Sequence, residues 1–154
     1  MIYMDDNFFQ QILKNKVLVT SLIAWVVAQT IKVCLGVIRE KKFNFKWFIG
    51  TGGMPSSHVS GMMSLATSVG FVCGFYSYQF AIALVMALIV MFDAQGVRRS
   101  TGKQAIILNK ILDDIYWGKK IEEKKLKEFL GHTPIEVFTG AVIGILIAII
   151  SFGF

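Results

Sequence analysis

The sequence predicts an all-α fold: an integral membrane helical bundle with about four transmembrane helices and one or two cytoplasmic amphipathic helices. Three observations carry that prediction. Hydrophobic residues make up 55% of the 154 positions, more than a soluble domain usually carries. Apolar runs approach the roughly 20 residues needed to cross a bilayer. Positive charge is gathered into the stretches 39–46 and 98–127 instead of being spread along the chain. In a soluble protein a net charge of +6 would suggest nucleic acid. Flanking apolar spans, it reads as a topology signal and an attraction to anionic headgroups, with no nucleic-acid partner. The length suits one membrane domain over residues 1–154. Cys34 and Cys73 both fall inside apolar runs, so they read as packing residues, without a disulfide framework or metal spacing.

Taken in order, the chain opens with Asp5 and Asp6 and then Phe8, Phe9, Ile12 and Leu13 among polar residues, the pattern of a short interfacial helix. Residues 17–38 form the first expected span, with Lys32 as its one charge. Lys14 and Lys16 before an apolar run could suggest a signal peptide. The run continues past the poor cleavage site at Val26, Val27 and Ala28, so it reads as a retained span. Residues 55–75 form the second span, with Ser60, Ser64 and Ser68 at four-residue spacing and Gly70 and Gly74 following. Small residues at that spacing let membrane helices approach closely. The uncharged turn at 76–79 predicts an antiparallel hairpin with the third span, 80–97. Within the cytoplasmic segment 98–133, residues 105–117 and 121–130 read as amphipathic surface helices. The last span, 134–154, carries Gly140, Gly144 and Ala148 on one face. Basic loops set the orientation: the ends near Arg39, Pro55, Arg98 and Pro134 face the cytoplasm, and the chain is a multi-pass protein of the cell membrane.

The stretch 52–58 is where chemistry concentrates. Gly52 and Gly53 allow a tight turn and close approach of backbone to a ligand. Pro55 suits the first turn of a helix. The amides of Ser56, Ser57 and His58 would then point out of the helix start, where free N–H groups and the helix dipole favour an anion such as phosphate. The same residues are also ordinary loop-and-cap punctuation. Lys32 and Arg39 are seven apart and share one helix face. A cation inside an apolar span is usually paired or functional, although a lysine near the end can snorkel to the interface. For Arg39 alone, setting topology is sufficient reason. Thr133 is a good N-cap and Glu136 completes a capping box, yet Glu136 is also one turn from His132 and close enough to orient its imidazole. Asp93 ends an apolar span and needs a partner. Residues 96–103 mimic a phosphate-binding loop, but the spacing is one residue too long and Gln104 stands where Ser or Thr is required. The adjacent Asp113 and Asp114 read as solvated acids, so no metal is expected.

Together these residues resemble the type 2 phosphatidic acid phosphatases, which are related to the vanadium haloperoxidases. Lys32-x6-Arg39 resembles the first motif of that superfamily, with Glu40 in place of proline. The run Pro55, Ser56, Ser57, His58 resembles the second, with Ser57 in place of glycine. His132-x3-Glu136 resembles the end of the third, with glutamate in place of aspartate and its arginine supplied by Arg98 or Arg99 across a long insertion. Stretches at 93–99, 102–105, 108–109 and 130–134 look like the divergent branch of this superfamily. The resemblance implies that Lys32, Arg39 and Arg98 or Arg99 hold phosphoryl oxygens, helped by amides near Ser56 and Ser57. It implies that His132 attacks phosphorus, oriented by Glu136, and that His58 protonates the leaving oxygen. Asp93, Gly52 and Gly53 support the site, with no cofactor.

The expected function is hydrolysis of a lipid phosphate or diphosphate through a phosphohistidine at the cytoplasmic face. The other reading is a non-catalytic lipid-phosphate binder or transporter with the same pocket. A third is a structural membrane protein whose charges only set topology. Four spans are fewer than the six typical of the membrane relatives, which leaves a homodimer as one way to complete the bundle.

Overall fold

The computed structural model describes residues 7–41, 53–115 and 131–153. Every regular element among them is a helix: α1 Phe8–Lys14, α2 Lys16–Glu40, α3 Ser57–Cys73, α4 Tyr78–Gln95, α5 Val97–Ile115 and α6 Pro134–Phe152. Local chemistry sets the ends. The Asn15 side chain accepts the Leu18 N–H at 3.1 Å and starts α2, and Ser77 accepts the Phe80 N–H at 3.2 Å and starts α4. Pro134 stands at the start of α6 behind a complete Thr133–Glu136 capping box, as the sequence predicts.

Three of the expected spans, α2, α4 and α6, are long and apolar enough to cross a membrane. The remaining one, α3, has 17 residues and packs against all three. At 1.5 Å per residue it is about 26 Å long, a little short of a ~30 Å hydrocarbon core. Its place at the centre of the bundle explains why a shorter, serine-rich helix serves there.

The bundle keeps small residues inside and large ones outside. Ala24, Ala28, Ala66, Ala87 and Ala148 are buried, whereas Ile82, Ile89, Phe92, Phe138 and Ile150 are exposed. Lipid is as apolar as leucine, so large side chains gain little by hiding and close backbone packing decides the interior. The predicted serine row does this work on two sides. Ser60 Oγ donates to the Ala24 carbonyl at 3.0 Å and Ser64 Oγ to the Thr20 carbonyl at 3.4 Å, tying α3 to α2. Behind them, a Cβ on Gly140 would strike the Ser56 carbonyl oxygen, and one on Gly144 the Ser60 carbonyl oxygen.

Four expectations need correction. Pro55 lies before the N-cap Ser56 instead of inside the first turn of α3. The third span stops at Gln95, because Gly96 breaks the chain and a new helix begins at Val97. That helix starts eight residues ahead of the expected 105, and the expected helix at 121–130 lies outside the described residues. Gly70 and Gly74 do not share a helix face: a Cβ on Gly70 would overlap the Phe75 ring, and Gly74 lies past the last turn of α3 at φ 88°.

The two ends of the bundle differ. At one, Phe71 lies 5.6 Å from Phe152 and Phe75 5.1 Å from Phe80 between ring centroids. Lys16 Nζ stands 4.4 Å from the Phe152 centroid there, so the start of α2 and the end of α6 share that end with the 76–77 turn. The other end gathers the candidate site.

Candidate functional site

Three short connections bring the separate sequence stretches into one place. The Lys32 stem runs beside Gly53, whose Cβ would lie 3.8 Å from Lys32 Cγ. The Ser56 N–H donates to the Glu136 carbonyl at 3.0 Å, joining the start of α3 to the first turn of α6. The His132 N–H donates to the Ala94 carbonyl at 3.1 Å, joining the residue ahead of α6 to the last turn of α4. Lys32 is 8% exposed, and the Glu136 carboxylate acts on its ammonium electrostatically. A buried cation with an acid at hand is the arrangement that makes a charge tolerable inside a membrane.

His132 is 3% exposed, and its Nδ1 lies 3.0 Å from Glu136 Oε2. The same oxygen accepts the Thr133 N–H at 3.0 Å, while Thr133 Oγ1 accepts the Glu136 N–H at 3.4 Å. The capping contact of Glu136 and its contact with His132 therefore share one carboxylate oxygen. An ionised carboxylate offers only lone pairs, so the contact assigns the ring proton of neutral His132 to Nδ1. Nε2 is then the nitrogen with the lone pair, the atom a nucleophilic or accepting imidazole uses.

The start of α3 differs from expectation in one respect. Ser56 was expected to present a free amide, but that amide is spent on Glu136. The positions without intrahelical acceptors are those of Ser57, His58 and Val59. The Ser56 side chain caps nothing, and its buried hydroxyl has no partner among the described residues. Ser57 is 1% exposed, while His58 faces outward from the same turn.

Of the other predicted residues, Arg39 is exposed in the last turn of α2, about 10 Å along the axis from Lys32. Asp93 is half-buried next to Ala94. Gly52 lies outside the described residues, as do the side chains of Arg98 and Arg99, whose backbones belong to the first turn of α5. Among the described residues no group of His, Cys, Asp and Glu is arranged to hold a metal ion. Sequence reasoning passed over Gln29, which is 5% exposed one turn before Lys32 on the inner face of α2. An amide inside an apolar span was the available signal.

Residues 13–147 match the Divergent PAP2 family. The chain is also similar to the "Uncharacterized membrane protein YuiD" of Bacillus subtilis (strain 168), at 41% identity over 151 residues, covering 91% of this chain and 96% of that protein. No solved structure matches it significantly. The lysine of α2, the Pro-Ser-Ser-His turn and the His132–Glu136 pair meet at one end of a helical membrane bundle, and with that match over most of its length the chain belongs to the divergent PAP2 family.

Proposed function

We propose that the protein is a membrane-bound phosphatase that hydrolyses a lipid phosphate or diphosphate, such as an isoprenoid or glycerolipid, through a phosphohistidine. The observation that carries this reading is His132, buried and held through Nδ1 by Glu136 at 3.0 Å. Its Nε2 attacks phosphorus, a P–N bond forms, and the bond to the lipid oxygen breaks. His58 donates its proton to that leaving oxygen and then takes a proton from the water that cleaves the P–N bond. The second step releases phosphate and restores His132.

Lys32 and Arg39 neutralise the phosphoryl oxygens, with the amides at Ser57 and His58 alongside. Arg98 or Arg99, in the first turn of α5, supplies the third cation. Asp93 and Gly53 support the site from α4 and from the turn before α3.

Access is from the cytoplasm, because the site lies at the end flanked by both basic stretches. Cysteines introduced at Lys42 and Lys120 should resist impermeant thiol reagents in intact cells, while one at Ser77 reacts. The opposite pattern inverts the orientation and the pool of substrate with it.

The decisive measurement is phosphate release from a panel of lipid phosphates by purified protein, with and without vanadate. Vanadate-sensitive release supports the enzyme. Binding of those lipids without release from any of them leaves a binder or transporter, which the same cationic pocket and buried Lys32 would equally serve.

A further inference from the structure

The helix α5 has an apolar strip that none of the other described helices covers. Ile107, Leu108 and Ile111 are 58%, 48% and 45% exposed, and their spacing places them side by side on one surface. Among the described elements α5 touches only α4. Its opposite side holds the buried Gly102 and Asn109. Between the two runs a basic strip, with Lys110 exposed and Arg99 and Lys103 at matching register positions.

We propose that this strip docks into the headgroup layer of the bilayer that α4 crosses, and that its partner is an anionic lipid surface. Continuity carries the first half. The membrane-crossing helix α4 ends at Gln95, and only Gly96 separates it from α5, so α5 begins at the depth where α4 leaves the hydrocarbon. Nineteen residues make a helix of about 28 Å, long enough to lie along the surface. Charge carries the second half. Arg98, Arg99, Lys103 and Lys110 precede the first acid, Asp113, so the part of α5 nearest the membrane exit is wholly basic. An apolar strip beside a basic one is the pattern of a helix lying in an anionic interface. A second copy of the chain is the poorer occupant. Pairing two α5 strips about a two-fold axis would bring their Lys103 and Lys110 rows together. The inference concerns the bilayer and stands whether or not the site turns over.

The test places an environment-sensitive fluorophore on a single cysteine at Ile107 or Ile111, in a background with Cys34 and Cys73 replaced by serine. The protein is reconstituted into nanodiscs of phosphatidylcholine with and without phosphatidylglycerol. A label at Ile89, on the lipid face of α4, reports that the bundle is intact in every variant. Labels on α5 should be quenched by a headgroup-level nitroxide lipid and protected from iodide, more so with phosphatidylglycerol. Each basic residue near an anionic surface is worth roughly a fivefold factor, so Lys103→Ala with Lys110→Ala should lower the docked-to-undocked ratio about 30-fold. Full iodide access in both lipids, with Ile89 still lipid-quenched, overturns the proposal. So does quenching indifferent to lipid charge. Energy transfer between labelled copies in liposomes that accounts for the iodide protection assigns the strip to a second chain and overturns it as well.

Discussion

Glu136 offers the sharpest perturbation, because one of its oxygens carries two jobs that different variants separate. Thr133→Ala deletes the hydroxyl that accepts the Glu136 N–H at 3.4 Å and leaves the contact between Glu136 and His132 in place. Loss of an N-cap of this kind costs about 1 kcal/mol. For a domain of this size that is a fall of roughly 2–4 °C in Tm, with turnover of the folded protein unchanged. Glu136→Gln has the reverse signature. With its amide oxygen in the shared position it still accepts both the Thr133 N–H and the Nδ1 proton, so the cap survives and Tm shifts by no more than in Thr133→Ala. The negative charge is gone, however. The positive charge that develops on the imidazole as Nε2 attacks then has no carboxylate beside it. Where the carboxylate partner of a catalytic histidine is replaced by its amide, the loss reaches about ten-thousandfold, and a fall on the order of a hundredfold to that figure is expected here. The assay is initial-rate phosphate release from the most active lipid phosphate, with thermal unfolding of the same preparations. Full turnover in Glu136→Gln, or a loss that tracks only the unfolded fraction, would refute the orienting role and leave Glu136 as a cap.

Three further outcomes follow from the same geometry. His132→Ala should lower turnover by about a thousandfold or more while lipid-phosphate affinity changes little, whereas Arg39→Ala should weaken binding too, since it removes a charge present before chemistry begins; equilibrium binding beside kinetics separates the two. His58→Ala should hurt a lipid phosphate most and an activated aryl phosphate least, because an aryl leaving oxygen needs no proton, and equal losses on both would remove His58 as the acid. Gly144→Ala drives a Cβ into the Ser60 carbonyl, with Ser60 C and Ser64 N each 3.0 Å away, and these backbone atoms cannot swing aside. Overpacking costs about 1–3 kcal/mol, roughly 2–12 °C in Tm, while Gly61→Ala, whose nearest neighbour would be Trp25 Cβ at 3.5 Å, should be close to neutral by thermal unfolding.

The class of fold, the family and the residues to watch are legible in the order of the amino acids alone. Hydropathy and charge segregation are properties of composition and order, so they survive without coordinates, and the bilayer narrows the outcome to helices or a closed barrel. Capping is equally local: Thr133, Pro134 and Glu136 specify the start of α6 within four consecutive residues. The serine row at 60, 64 and 68 and the glycines at 140 and 144 announced close helix packing, but not which helices. It takes the packed bundle to show that α3 is the hub, with Ser60 and Ser64 bonded to α2 and their backbone against α6. The same holds for Gly70, whose spacing from Gly74 fits a helix contact equally well; the Phe75 ring takes the space instead. The spent amide of Ser56, the Ala94 carbonyl under His132 and the meeting of Lys32 with Gly53 all join residues far apart in the chain. Spacing within one helix constrains which residues share a face. Which faces meet is settled by the packing of whole helices, a sum over many small contacts that no single stretch of sequence displays.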